Sequence, residues 1–265
     1  GLCHAYWAPN IWVFYNLLDM VLAKALCALG QGQFVKAGVS LTTGLVGSGA
    51  GTQVLPTVPP VATVILTLVL MSPALWVVWS TPQPRQVLVS ATVYCALASF
   101  LVGFHVHEKA ILLATIPMTL MVTDSYTGTR IYLALSLTAH FSLFPLLFQP
   151  QEYLIKVLLS LLHGYLVYSA LHHYALMSPA SSGTLPLESQ VLVATFIAVD
   201  IFEMLIHPAL IVPRVPFLPL LLRSVVCAVA TCRCTWQVLC LMLNVAQGKA
   251  HVGCGIDAGN AAAPG

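Results

Sequence analysis

Thr57–Trp79 reads TVPPVATVILTLVLMSPALWVVW, 23 residues without a charge, opened by Pro59-Pro60 and followed by Pro82 and Pro84. A helix needs about 20 mostly apolar residues to cross the roughly 30 Å hydrocarbon layer of a bilayer. A stretch this long and this apolar on every face reads as a membrane span, and the rest of the chain agrees with it. Of 265 residues, 59% are apolar and 7% charged, with a mean hydropathy of +0.92. Soluble domains run at about 45–50% apolar and about 25% charged. The fold class is therefore all-α, a polytopic membrane protein with the lipid bilayer as its partner. A net charge of +2 leaves nucleic acid without an electrostatic footprint.

Working outward, Val87–Phe104, Lys109–Thr123, Ile131–Phe148, Leu154–Tyr174, Leu187–Ile206 and Pro216–Ala246 are the further candidate spans. Lys109–Thr123 is short and carries Pro117, so it spans by thinning or tilting, or it is a broken helix. Ile11–Leu29 mixes Trp12, Phe14, Tyr15 and Leu18 with Asn16, Asp19 and Lys24. That mixture suits a helix lying in the interface, with Tyr6, Trp7 and Trp12 in the aromatic belt. The expectation is seven spans plus one interfacial helix, or eight spans. Three regions follow: 1–56 as a loop with the interfacial helix, 57–246 as the transmembrane helical domain, and 247–265 as a Gly/Ala-rich disordered tail. The chain opens on Gly1 without a secretory leader pattern, which reads as a fragment or as a start inside a longer gene product.

Eight cysteines are scattered with no CxxC pair, so structural zinc is not expected. Gly47-Ser48-Gly49-Ala50-Gly51 lacks the Gly-Lys-Ser/Thr ending of a phosphate loop and reads as a flexible connection. Asp200 and Glu203 share a helix face, with His207 four residues after Glu203; an internal Glu203–His207 pair is the plainer reading. Arg223 and Arg233 read as snorkelling toward opposite interfaces. His163, His172 and His173 read as packed or interfacial.

The densest charge lies at His105-Val106-His107-Glu108-Lys109, between two apolar runs. Charge at the edge of hydrocarbon usually has a partner or a task. A zincin helix would need a second histidine where Ile111 stands. A transition metal would find His105, His107 and Glu108 but no strong further ligand nearby, so metal is not expected. A solvated turn remains open. The favoured reading is a functional site in which cations hold a phosphate and a carboxylate orients a histidine.

Gly1-Leu2-Cys3-His4-Ala5-Tyr6-Trp7-Ala8-Pro9-Asn10 and Phe104-His105-Val106-His107-Glu108-Lys109-Ala110-Ile111-Leu112-Leu113 resemble a known family, supported by Ser142–Phe148 and Pro216–Leu222. These are the dolichyl-phosphate-glucose-dependent glucosyltransferases of the endoplasmic reticulum. Within them the resemblance is to the members that add the second, α-1,3-linked glucose to Glc1Man9GlcNAc2-diphosphodolichol in N-glycosylation. It runs from Gly1 to about Gly248.

The resemblance implies a GT-C type fold, of which this chain is roughly the C-terminal half, with the active site on the lumenal side. It implies dolichyl-phosphate-glucose as donor, a dolichol-linked oligosaccharide as acceptor, and no cofactor. His107 and Glu108 would be catalytic, His105, His107 and Lys109 would bind the donor phosphate, and Tyr6, Trp7 and Asn10 would lie near the substrates. Lysines 24, 36, 109 and 156 and Arg214 outnumber the cations of the other face, so the positive-inside rule alone would make their side cytoplasmic; the resemblance makes it lumenal.

There are departures. The arginine expected directly before Gly1 is not in the chain, and Met20 stands where lysine is expected. The general base is expected upstream, in a first lumenal loop. Lys249–Gly265 replaces a short Lys-rich end. By itself the segment is therefore expected not to catalyse transfer. A transporter using the His/Glu cluster as a proton or metal relay is the alternative; it predicts inverted repeats, and none is visible. A structural subunit of a membrane complex is a third reading.

Overall fold

Pro60 occupies the first turn of its helix, where a missing N–H costs nothing, and the apolar run behind it continues unbroken to Ser80. The computed structural model describes residues 8–36, 52–80, 84–104, 106–122, 124–146, 150–173, 187–210 and 218–248, and every regular element among them is helical. The helices are α1 (Trp12–Ala28), α2 (Pro60–Ser80), α3 (Arg85–Val102), α4 (Leu112–Met118), α5 (Tyr126–Leu143), α6 (Tyr153–His173), α7 (Leu187–Ile201), α8 (His207–Leu210) and α9 (Leu218–Ala246). A π turn, Phe202–Ile206, joins α7 to α8.

α9 is the axis of the bundle. It packs along α3 and α5 and also touches α1, α2 and α7. α3 lies between α2, α4 and α9. The main core joins Val93, Leu97 and Phe100 of α3 to Ile131 and Leu135 of α5 and Val238 and Met242 of α9, all buried.

Four helices among the described residues are long and apolar enough to cross a membrane: Pro60–Ser80, Arg85–Val102, Leu187–Ala209 and Leu218–Ala246. They match four of the expected spans to within a few residues. The other three expected spans take different forms. Ile131–Phe148 belongs to α5, whose Thr129, Ser136, Thr138 and Ser142 are all buried against neighbouring helices. Thr138 donates back to Ala134 at 2.8 Å and Ser142 to Ala139 at 2.8 Å within the helix, and Thr129 donates to Val122 at 2.7 Å just before it, so a buried polar helix leaves them satisfied. Leu154–Tyr174 coincides with α6 to within one residue at each end, a helix that is loosely covered by its neighbours.

Lys109–Thr123 is the broken helix: a 3₁₀ turn (Glu108–Ile111), α4 with Pro117 inside, then a second 3₁₀ turn (Thr119–Met121). The path still runs back along α3. The Arg85 guanidinium, at the start of α3, donates to both Asp124 carboxylate oxygens at 2.7 and 2.8 Å. An 18-residue helix is about 27 Å long, so the chain leaves α3 at Gly103 and returns to its opposite end by Asp124. α5 then runs the other way, which brings Phe144 to the Gly103 end of the bundle.

α1 ends in a Schellman motif. Gly30 takes φ +75°, its N–H bonds the Cys27 carbonyl at 3.1 Å, and Gln31 N–H bonds Leu26 at 2.8 Å. The expected 247–265 tail starts with a turn at Gln247-Gly248. Its remainder, the glycine-rich 47–51 stretch, and residues 1–7 lie outside the described residues.

Two expectations about arginines change. Arg223 does not snorkel: it is 4% exposed and turned into the bundle. Its guanidinium donates to Asp200 at 2.6 Å, to Glu203, and to the Phe141 carbonyl at 3.4 Å, and it lies 4.1 Å from the Phe141 ring centroid. A guanidinium deep in a bundle costs too much unpaired, and two carboxylates on the adjoining helix offset its charge. Arg233 is half-exposed, but its Nε donates to Glu188 at 2.7 Å. The antiparallel α7–α9 pair is thus joined by charge at two levels.

Candidate active site

The site begins where α1 meets the end of α3. Asn10 precedes α1, and its Oδ1 accepts the Trp12 backbone N–H at 3.1 Å, a capping bond of the kind that starts helices. Ile11 N–H bonds the Leu101 carbonyl at 3.1 Å, and the Trp12 indole Nε1–H donates to the Gly103 carbonyl at 3.0 Å. Leu101 and Gly103 belong to the last turn of α3, whose own helix offers those carbonyls no partner. Ala8, fully buried, packs in the same core as Val106 and Ala110. The end of the first sequence motif therefore rests on the start of the second, about a hundred residues away.

The second motif is a turn fixed at both ends. Val106 is buried and Ile111 fully so. Gly103 has no room for a side chain, since a Cβ there would stand 2.6 Å from the Ser99 carbonyl and 2.7 Å from Val106 Cγ2. His107 is extended and caps the 3₁₀ turn, its carbonyl accepting Ala110 N–H at 2.9 Å.

With Val106 and Ile111 inward, the intervening side chains turn outward. His107 is 66% exposed, Lys109 is exposed, and Glu108 is only 16% exposed. His107 Nδ1 stands 3.9 Å from Glu108 Oε2, within ion-pair range and beyond a hydrogen bond. The arrangement presents two basic groups on a rigid turn with a carboxylate beneath them. Such a set can hold an anionic oxygen and orient an imidazole.

Of the sequence-derived site residues, His107, Glu108, Lys109 and Asn10 fall at this end of the bundle. Tyr6, Trp7 and His105 lie outside the described residues. Asn10 is 0% exposed, and its Nδ2 has no hydrogen-bond partner among the described residues. A buried amide N–H without a partner is costly, and this one can donate to an oxygen that enters beside it. Among the described residues no three His, Cys, Asp or Glu side chains come together as a metal site.

Sequence reasoning missed Asp19. Its carboxylate is 0% exposed and accepts the backbone N–H groups of Gln53, Val54 and Leu55 at 2.7, 2.8 and 2.7 Å. Tyr15, one turn earlier, donates its hydroxyl to the Pro56 carbonyl at 2.5 Å. Burial, and secondarily the Asp19 charge, push the Tyr15 phenol above its ordinary pKa and keep it a donor. These bonds tie α1 to the segment that leads into α2. The available signal was a single acid within a 17-residue helix that is otherwise largely apolar.

The profile of the ALG6, ALG8 glycosyltransferase family matches residues 1–238. The chain is 42% identical over 232 residues to a Mus musculus protein named dolichyl pyrophosphate Glc1Man9GlcNAc2 alpha-1,3-glucosyltransferase, covering 86% of this chain and 43% of that one. It is 39% identical over 239 residues to the Arabidopsis thaliana protein of the same name, covering 86% and 47%. A Drosophila melanogaster protein, named as probably the same enzyme, is 34% identical over 255 residues, covering 95% and 48%. The chain thus spans about half the length of the curated relatives it matches. With residues 1–238 matching one profile, the chain belongs to the ALG6, ALG8 glycosyltransferase family.

Proposed function

We propose that this chain supplies the donor-phosphate side of a glucosyltransferase. The enzyme moves glucose from dolichyl-phosphate-glucose to Glc1Man9GlcNAc2-diphosphodolichol, in α-1,3 linkage, at the lumenal face of the endoplasmic reticulum membrane. The observation that carries this reading is the Trp12–Gly103 junction. It sets the buried Asn10 beside a rigid turn bearing His107, Glu108 and Lys109.

In the proposed reaction an acceptor hydroxyl oxygen attacks the anomeric carbon of the donor glucose. The bond from that carbon to the phosphate oxygen breaks, and dolichyl phosphate leaves with the electron pair. The hydroxyl proton passes to a base outside the described residues. The leaving group is already a stable anion, so cationic stabilisation matters more than an acid; His107 and Lys109 fill that role, joined by His105. Glu108 holds His107 in orientation. Asn10, Tyr6 and Trp7 contact sugar or lipid, and residues 1–56 lie on the lumenal face.

The test is Glu108→Ala in the full-length protein, produced in cells that lack the corresponding enzyme. Transfer from dolichyl-phosphate-glucose should fall by roughly 10–100-fold, as expected for a residue that orients a functional histidine, with expression retained. Normal transfer would remove Glu108 from the site.

A further inference from the structure

Glu188, in the first turn of α7, has a buried side chain on which three groups from two other helices converge. Arg130 Nη2 of α5 lies 3.4 Å from its Oε2, and Arg233 Nε of α9 lies 2.7 Å from its Oε1. The Gln237 amide, one turn along α9 from Arg233, donates to both oxygens at 3.2 Å. One carboxylate thus answers two guanidiniums, which leaves one positive charge in excess. That excess falls toward Arg233, the more open of the two, whose side chain is 49% exposed.

The network lies at hydrocarbon depth. Arg233 stands near the middle of α9, with roughly 20 Å of helix on either side, and half the hydrocarbon layer is about 15 Å. Arg130 lies one turn inside the Asp124 end of α5. Cys232, next to Arg233, packs with Leu101 and Val102 at the opposite end of α3. The carboxylate that the two arginines share therefore sits between the two ends of the bundle. The Glu188 contact fixes Arg233 Nε, so its head cannot snorkel to a membrane surface without breaking that pair. Its two Nη nitrogens have no partner among the described residues.

Val229, Arg233 and Trp236, at i, i+4 and i+7, form an outward stripe of α9, and both flanking residues are more than half exposed. Residues so spaced meet a second helix laid along the first. Lipid tails offer no acceptor to the free guanidinium N–H groups, and charges inside a membrane pair with one another or with backbone carbonyls. A carboxylate cancels the excess charge and accepts two parallel N–H bonds from the Nη side. The chain covers 47% and 43% of the Arabidopsis thaliana and Mus musculus relatives, which leaves about half of such a protein outside it. We infer that the Val229–Trp236 face of α9 receives a membrane-spanning helix from that other half, and that this helix brings an Asp or Glu side chain to Arg233 at mid-span. The pairing is independent of the role proposed for the His107 turn.

Photocrosslinking in the full-length protein, held in lipid nanodiscs, tests this. Trp236→p-benzoylphenylalanine places a photoreactive ketone on the stripe beside Arg233, and mass spectrometry maps what it captures. The expected product is a crosslink within one polypeptide, to an apolar helix outside residues 1–265 that carries an Asp or Glu. Val229→p-benzoylphenylalanine serves if the first variant fails to fold. Arg233→Leu should lower the unfolding temperature, although Arg130 and Gln237 still hold Glu188. Replacing the captured acid by Leu as well should recover most of that loss, because removing both charges of a buried pair is nearly neutral where removing one is not. Loss of the Glu188 contact alone would not be recovered in this way.

Capture of lipid alone, of a second copy of the protein, or of another protein would each overturn the inference. So would a crosslink to a helix with no acid in its span, or an unfolding temperature that Arg233→Leu leaves unchanged. Failure of the double variant to recover would reduce Arg233 to a partner of Glu188 only.

Discussion

The Trp12 indole N–H donates to the Gly103 carbonyl at 3.0 Å across 91 residues of sequence. One bond joins the start of α1 to the end of α3, and the turn bearing His107 and Glu108 begins directly after its acceptor. The position of that turn relative to Asn10 depends on this junction.

Trp12→Phe keeps most of the apolar contact with Leu101 and Val102 and removes the donor. It leaves a carbonyl without its partner, so the cost should be about 1–3 kcal/mol. A lowered thermal unfolding midpoint checks this, and transfer by the full-length enzyme should fall more than stability does. An unchanged midpoint and rate would show that the junction does not organise the site.

Gly103→Ala pushes a methyl group into the Ser99 carbonyl and Val106, at 2.6 and 2.7 Å. Neither the helix carbonyl nor the buried valine can move freely, so overpacking should cost about 1–3 kcal/mol and displace the turn. A Val106→Ala second change clears one of the two contacts and should restore part of the loss. Thermal unfolding of the single and double variants measures it.

Asp19→Asn keeps the shape but replaces one carboxylate oxygen by an N–H that points at donors. Three backbone N–H groups converge on the carboxylate, so the loss should be about 2–4 kcal/mol. Proteolysis between α1 and α2 should quicken. A cleavage rate equal to that of the parent protein would show that the clamp does not hold this segment.

Arg223→Met leaves Asp200 and Glu203 as carboxylates without their cation, next to the stacked Phe141 and Phe196. Breaking a fully buried pair from one side costs about 3–5 kcal/mol, and with Asp200 and Glu203 partly exposed the loss should be smaller, while removing all the charges can be nearly neutral. Adding Asp200→Asn and Glu203→Gln should therefore recover most of the unfolding temperature. Failure of the triple variant to recover would mean that the cluster's charges are needed for more than compensating one another.

Much of the helical framework is legible because hydropathy is a local property. Thr57–Trp79 identifies its own helix, and α3, α7–α8 and α9 follow from uninterrupted apolar runs. α5 is harder to place, because its serines and threonines are tolerated only through burial by α4, α7 and α9. Arg223 is illegible for the same reason: whether an intramembrane arginine snorkels or turns inward depends on carboxylates 20 and 23 residues away. At the candidate site, the residue types and the charged turn were visible in sequence, and the resemblance attached a chemistry to them. Asp19 reads in sequence only as one polar residue of an interfacial helix, because its three partners lie 34 to 36 residues away.

By itself, then, the sequence determined the membrane class and the course of the long helices, and it marked out the charged turn proposed to meet a phosphate. These follow from composition and short spacings, which do not depend on what lies beside them. Only the tertiary structure decided that Trp12 reaches Gly103, that Asn10 is buried with no partner for its Nδ2 among the described residues, and that Arg223 joins α7 to α9. Each is a contact between segments far apart in the chain, where packing and the cost of burying unpaired polar groups select the partner.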